Sequence, residues 1–184
     1  MWTLLARSVS FLIKVIERSY MYLQASRFGK FEKECLFHPF STKVIGHKNI
    51  HMRYGSTIGP GSIIYAIDSK LFIGRKTGIG PGTIIMCGNH STHHPGKFYK
   101  DYLPEDKMTR DDADIIIEDD VWIGAGCILL KGTHIERGAV IGAGSLVNSR
   151  IKAYDVAVGS PAKRVRARFK EEDQNLHDQF LGLG

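Results

Sequence analysis

Three histidines fall within five positions, His90, His93 and His94, in the stretch CGNHSTHHPG. A neutral imidazole can take a proton from a hydroxyl near neutral pH, so one of them could serve as a general base with two bystanders. Three imidazoles can also hold zinc, and a spacing of two residues plus an adjacent histidine is compatible ligand geometry on a loop. A polar loop tip without chemistry is the third reading. The next histidine, His134, brings no carboxylate–histidine set with it. Further along, GSPAKRVRARFK gathers Lys163, Arg164, Arg166, Arg168 and Lys170 on one short segment. Such a cluster either pairs with phosphates, arginine doing so bidentately, or forms a solvated basic face.

These groups need a scaffold, and the chain's length bounds it. A chain of 184 residues suits one domain with a small appendage. The net charge of +6 favours an anionic ligand or surface without demanding nucleic acid, and no nucleic-acid partner is expected. Cys35, Cys87 and Cys127 form neither a CxxC pair nor an even disulfide set, which predicts reduced thiols in a cytoplasmic protein. In the first 25 residues, Leu5, Val9, Leu12 and Ile16 follow helical spacing, while Arg7, Ser10, Lys14 and Arg18 line another face. No apolar run there approaches the roughly 20 residues that span a bilayer, and the basic residues interrupt any signal-peptide core. The helix is expected either to pack on its own domain or an oligomer partner, or to lie on the inner membrane surface.

From Ile117 the chain divides into sixes: IEDDVW, IGAGCI, LLKGTH, IERGAV, IGAGSL, VNSRIK. Positions 117, 123, 129, 135, 141 and 147 are all Ile, Leu or Val, and the fifth residue of each hexad is mostly small. The same pulse runs from Met52 and again from Ile73, with three extra residues at 70–72 and a long break between His90 and Ile117. Six is neither the helical period nor a simple strand alternation. It predicts a parallel β-helix in which three hexads close a triangular coil, twelve give four coils, and stacking buries the core. Gly61, Gly82, Gly126, Gly138 and Gly144 are expected at corners of positive φ or close backbone packing.

The ordered set GNH, protruding loop, VWIG, IGAGS and GSPAKRVR resembles the hexapeptide-repeat acyltransferases over residues 50–168. The likeness is to the branch with galactoside, maltose, nodulation-factor and streptogramin acetyltransferases, and to O-acetyltransferases of bacterial polysaccharide synthesis. It implies an all-β, left-handed parallel β-helix over 44–162 with a protruding loop at 91–114. An amphipathic helix at 1–30 precedes it, and a basic segment with a short C-terminal helix follows at 163–184. It further implies a homotrimer with acetyl-CoA, and no metal, in the groove between neighbouring subunits.

The resemblance assigns His90, after Asn89, as the catalytic base for acyl transfer from a thioester to a hydroxyl. On the acceptor side, for a small molecule or glycan, stand Asp68, Asn89, His93 and Tyr99; Tyr99 and Tyr102 serve either as platforms for a sugar or as anchors of the loop. On the coenzyme side it assigns Trp122, Ala125, Ala143, Asn148, Lys163 and Arg166. The repeat places Trp122 at a corner rather than in the core, so a packed structural role stays open for it. Ala125 replaces a serine credited in relatives with stabilising the tetrahedral intermediate, leaving a backbone N–H or another group to hold the oxyanion. Asn148 and Ser149 replace a Thr-Lys pair, so one phosphate contact is lost. Pro60 stands near a position where the galactoside enzymes carry an asparagine, which leaves the acceptor open. The chain thus reads as an O-acetyltransferase acting on a sugar or glycan precursor, lipid-linked if residues 1–25 meet a membrane. A non-catalytic scaffold and a zinc-dependent enzyme of the γ-carbonic-anhydrase type are the alternatives.

Overall fold

The structure is a computed structural model that describes residues 2–182 and side chains from residue 6 onward, so Leu5 of the expected apolar stripe lies outside the described side chains. After α1 (Trp2–Ala25), β1 (Lys30–Phe31) and β2 (Lys43–Ile45) lead into a stack of coils. The first coil holds β3 (Ile50–Met52), β4 (Thr57–Ile58) and β5 (Ile63–Tyr65), and the second β6 (Leu71–Ile73), β7 (Gly78–Ile79) and β8 (Ile84–Met86). The third holds β9 (Ile115–Ile117), β10 (Trp122–Ile123) and β11 (Ile128–Leu130), and the fourth β12 (His134–Ile135), β13 (Val140–Ile141) and β14 (Leu146–Val147). Then β15 (Arg150–Ile151), β16 (Asp155–Gly159) and β17 (Ala162–Ala167) close the stack, and α2 (Glu171–Leu181) follows.

Three sheets form the walls: β1-β3-β6-β9-β12-β15, β17-β16-β13-β10-β7-β4 and β14-β11-β8-β5-β2. Every neighbouring pair is parallel except β16–β17, a hairpin that caps the second sheet. This is the parallel β-helix that the six-residue pulse predicts. Ile117, Ile123, Leu129, Ile135, Ile141 and Val147 are at most 1% exposed, and the fifth residues Val121, Cys127, Thr133, Ala139 and Ser145 are equally buried. Each coil alone would leave its aliphatic side uncovered, and stacking removes that surface from water. The five corner glycines named above all take positive φ, between 67° and 74°. Two rungs precede the legible hexads because β1 and β2 belong to a segment with no glycine–aliphatic repeat, yet they pair with β3 and β5. Both breaks in the pulse fall at the corner between third and first sheets, although the extra residues expected at 70–72 lie in the 66–70 turn, Leu71 and Phe72 already belonging to β6.

The C-terminal helix docks through charge. Arg137 donates to both carboxylate oxygens of Asp178, at 2.9 and 2.8 Å, and Tyr154 donates to the same carboxylate. Arg168 and His177 meet Asp120 at 2.8 and 2.9 Å. Arg137 first, then Tyr154, hold the Asp178 carboxyl below its ordinary range against the cost of burial. A carboxylate depressed in the folded state stabilises above its unfolded pKa of about 3.9, and that contribution is lost as pH falls through the lower folded value. The α2 attachment is therefore expected to weaken only below about pH 4. At neutral pH, Asp178→Asn is expected to cost about 1–3 kcal/mol, read by thermal unfolding, with hydrogen exchange rising selectively in α2.

Candidate active site

His90 stands where the stack is interrupted. β8 ends at Met86, and the following Cys87 is 1% exposed. Burial pushes its thiol up to about 12, so it offers no thiolate near neutral pH. Gly88 then bridges Asp112, the Asn89 N–H donates to the Asp111 carbonyl at 2.8 Å, and the Ala113 N–H donates to the Cys87 carbonyl at 3.1 Å. The loop thus leaves and re-enters the coil through a pinched neck. A Cβ on Gly88 would lie 1.9 Å from the Asp112 carboxylate, so a side chain there would displace that carboxylate. His90 is held just beyond it, exposed, with Tyr99 edge-on at 5.5 Å between ring centroids.

A cavity of about 480 Å³ opens beside His90. Asn89, Ser91, Asp68, Lys107 and Asp112 supply its polar lining, and Tyr65, Ile67, Met86, Tyr102, Leu103 and Pro104 its apolar one. Asp68 is not a free acceptor contact: the Lys107 ammonium bridges Asp68 at 2.6 Å and Asp112 at 2.8 Å. Burial works against the Lys107 charge, but the two carboxylates outweigh it and hold its pKa above the ordinary value. Lys107 thereby latches the loop to the coil corner that carries Asp68. Two other assigned acceptor residues face elsewhere. His93 meets Asp111 at 2.7 Å, and Tyr99 packs on His90 outside the cavity wall. Tyr102 anchors the loop by exchanging hydrogen bonds with the His94 backbone, at 2.9 and 3.1 Å, while its ring reaches the cavity.

The three histidines do not converge: His90 faces Tyr99, His93 faces Asp111, and His94 Nε2 is buried without a partner. Among the described residues, no group of three His, Cys, Asp or Glu side chains is placed to hold a metal ion. Sequence reasoning did not single out Ser91, Lys107 or Asp112. Ser91 is 4% exposed and its Oγ has no partner. Only spatial proximity identifies them, because the loop carries no repeat from which positions could be projected.

The coenzyme-side residues gather mostly at another corner, between second and third sheets. There each coil turns through Gly59-Pro60-Gly61, Gly80-Pro81-Gly82, Gly124-Ala125-Gly126 and Gly142-Ala143-Gly144. A Cβ on Gly124 would lie 2.5 Å from the Ala143 backbone nitrogen, so the turns stack backbone on backbone. Proline fills the central position in the two lower coils and has no N–H. Alanine fills it in the two upper coils, and among the described residues neither the Ala125 nor the Ala143 N–H has an acceptor. Above them, Arg164 pairs with Asp155 at 2.6 Å and Arg168 with Asp120, whereas Lys163 and Arg166 are exposed and, among the described residues, have no carboxylate partner. The basic segment is therefore part structural and part free. Trp122 is not at a corner: it opens strand β10 and is 61% exposed on the outer face of the second sheet, between Gly78 and Val140. One row of that sheet runs Trp122, Val140, Val156, Arg166. Asn148 is exposed beyond β14, on the same edge of the third sheet as His90.

The His90 edge and the Ala125 edge are opposite borders of the third sheet, roughly 15 Å apart at 3.3 Å per strand residue. Between them the sheet's outer face carries Ile63, Tyr65, Ile84, Met86, Ile128 and Leu130, all half-buried. The first sheet, by contrast, presents Lys30, His51, His134 and Arg150 outward beside Phe72 and Ile116.

The family model for bacterial transferase hexapeptide (six repeats) matches residues 114–149. The chain is 37% identical over 117 residues to a chloramphenicol acetyltransferase of Morganella morganii, covering 58% of this chain and 56% of that protein. It is 28% identical over 159 residues to the galactoside O-acetyltransferase of Lactococcus lactis subsp. lactis, covering 86% and 72%. The fold superposes with a TM-score of 0.68 and 25% identity on a hexapeptide-repeat acetyltransferase of Vibrio cholerae O1 biovar eltor complexed with acetyl coenzyme A, covering 84% and 79%. The chain spans little more than half the length of the chloramphenicol acetyltransferases it matches.

Proposed function

We propose, from the premise that this chain belongs to the hexapeptide-repeat transferases, that it is an acetyl-CoA-dependent O-acetyltransferase acting on a hydroxyl of a sugar or glycan precursor. One observation carries the reading. A histidine beside a cavity and a column of free N–H groups topped by free cations occupy opposite edges of one apolar-faced sheet. No single chain brings the two edges together, but copies packed through that face would. A homotrimer, with the left-handed winding that the resemblance implies, places His90 of one copy against the Ala125 corner of the next. His90 takes the proton from the acceptor hydroxyl as that oxygen bonds to the thioester carbonyl carbon. The Ala125 N–H holds the oxyanion that forms, and His90 returns the proton to the thiolate as the carbon–sulfur bond breaks.

The acceptor would lie in the 480 Å³ cavity, meeting Asn89 and Ser91, with the Asp68–Lys107–Asp112 latch as one wall. Ala143 and Trp122 would border the pantetheine arm, and Lys163 and Arg166 would meet the phosphates, with Asn148 reaching the coenzyme from the neighbouring copy. A place at the inner membrane surface rests on α1 alone.

Titration calorimetry with acetyl-CoA tests the donor half. Arg166→Ala is expected to weaken binding by about tenfold, the loss of one charge-assisted contact. Lys170→Ala, nearby and equally exposed, is expected to change it less than twofold if the contact is specific rather than general attraction. A wild-type chain that binds no acetyl-CoA would end the transferase reading at its first step. Transfer to a panel of sugars, followed by released thiol, identifies the acceptor.

A further inference from the structure

α1 leaves a broad apolar surface that none of the described residues covers. Among its described side chains, Glu17, Tyr20, Met21, Gln24 and Ala25 are the covered ones, and they dock the helix's C-terminal end on the body. At about 100° per residue, the apolar residues Val9, Leu12, Ile13, Ile16 and Leu23 centre on an arc beside this docked side, and Phe11, Val15 and Tyr22 continue it further round. Phe11 is 70% exposed, Leu12 58%, Ile16 51% and Leu23 66%. Arg7, Lys14 and Arg18 share a stripe about 40° wide next to Phe11. Glu17 is the only acid in the helix, and it turns to His38 at 3.2 Å. Among the described side chains the free surface is therefore apolar and cationic, broken by Ser8, Ser10 and Ser19.

We propose that α1 lies along an anionic bilayer surface, its apolar arc at the acyl boundary and Arg7, Lys14 and Arg18 on the headgroup phosphates. Apolar burial and basic charge together are the two signals that stable interfacial binding requires. No described helix is long and apolar enough to cross a membrane. A bundle of α1 helices from several copies fits the surface less well. The spacing Val9, Leu12, Ile16, Ser19, Leu23 makes a seam, but it places a serine within it and leaves Phe11, Val15 and Tyr22 uncovered. It also aligns three like-charged helices whose one acid is already engaged.

The proposal stands independently of acetyl transfer, and flotation of the full chain with lipid vesicles tests it. The wild type is expected to bind vesicles of phosphatidylcholine with phosphatidylglycerol, to bind phosphatidylcholine alone far more weakly, and to lose affinity as salt rises. Leu12→Ser/Ile16→Ser is expected to abolish binding. Neutralising Arg7, Lys14 and Arg18 with glutamine is expected to lower it by about a hundredfold, near fivefold per cation. Absence of wild-type binding to either vesicle, or binding indifferent to Leu12→Ser/Ile16→Ser, would overturn the proposal. So would a drop in oligomeric mass in that variant when the wild type ignores vesicles, which would assign the face to other copies. Calorimetry on the same proteins keeps the two readings apart: a chain that binds vesicles but not acetyl-CoA removes the transferase and leaves the membrane contact.

Discussion

His90→Ala is expected to lower the rate of acetyl transfer by about 10²–10⁴-fold, the usual contribution of a positioned general base. Acetyl-CoA affinity is expected to stay within twofold, because coenzyme binding is assigned to Trp122, Lys163 and Arg166, while His90 acts on the acceptor proton. The fold should tolerate the change. The His90 side chain is exposed, and its edge-on contact with Tyr99 is worth about 1 kcal/mol at most. His93→Ala makes the informative contrast. It removes the 2.7 Å contact to Asp111, whose carboxyl is held below its ordinary range by the Met108 N–H and then by His93. That change loosens the loop, so it should raise the Michaelis constant for the acceptor more than it lowers turnover. Equal loss of turnover in both variants would count against His90 as the sole base.

Ala125→Pro is expected to reduce turnover by about 10²–10³-fold, the effect of deleting one oxyanion donor. The substitution is unusually clean. Proline already occupies the equivalent place in the two lower coils, at Pro60 and Pro81, each preceded by glycine as Ala125 is. The turn therefore accepts the ring, and what disappears is the N–H. Thermal stability should hold to within about 1 kcal/mol, since among the described residues that N–H makes no internal bond. Unchanged turnover would move the oxyanion to another donor, and a large fall in stability would show that the turns are not interchangeable.

The contrast behind that variant is visible in the sequence as IGPG in the lower coils and IGAG in the upper ones, although its meaning needed the stacked turns. More generally, what repeats is legible and what does not repeat is not. Ile117, Ile123 and Leu129 announce the coils because each must enter the same core at the same phase. β1 and β2 do the same work without the regular glycine–aliphatic spacing, and so pass unseen. Within the loop, His90 is marked by its neighbours Asn89 and Gly88. The Lys107 bridge joins two carboxylates far apart in the sequence, a link that no local pattern encodes: Asp68 lies on the coil and Asp112 at the neck. The basic segment illustrates the same limit. Five cations in one stretch look alike until Asp155 and Asp120 take Arg164 and Arg168 and leave Lys163 and Arg166 free. Trp122 lies on a strand face because its hexad begins at Ile117, a rung whose corner spans the intervening Glu118-Asp119-Asp120 turn.

The central claim is that each site is shared between copies of the chain, with the base from one and the oxyanion donor from its neighbour. Mixing tests it most directly. His90→Ala and Ala125→Pro, each expected to be strongly impaired alone, are co-folded in equal amounts and assayed for acetyl transfer. Random assembly places an intact His90 against an intact Ala125 at about a quarter of the interfaces, so about a quarter of the wild-type rate per chain is expected to return. A mixture as inactive as its parents would place both groups in one chain's site and contradict the account.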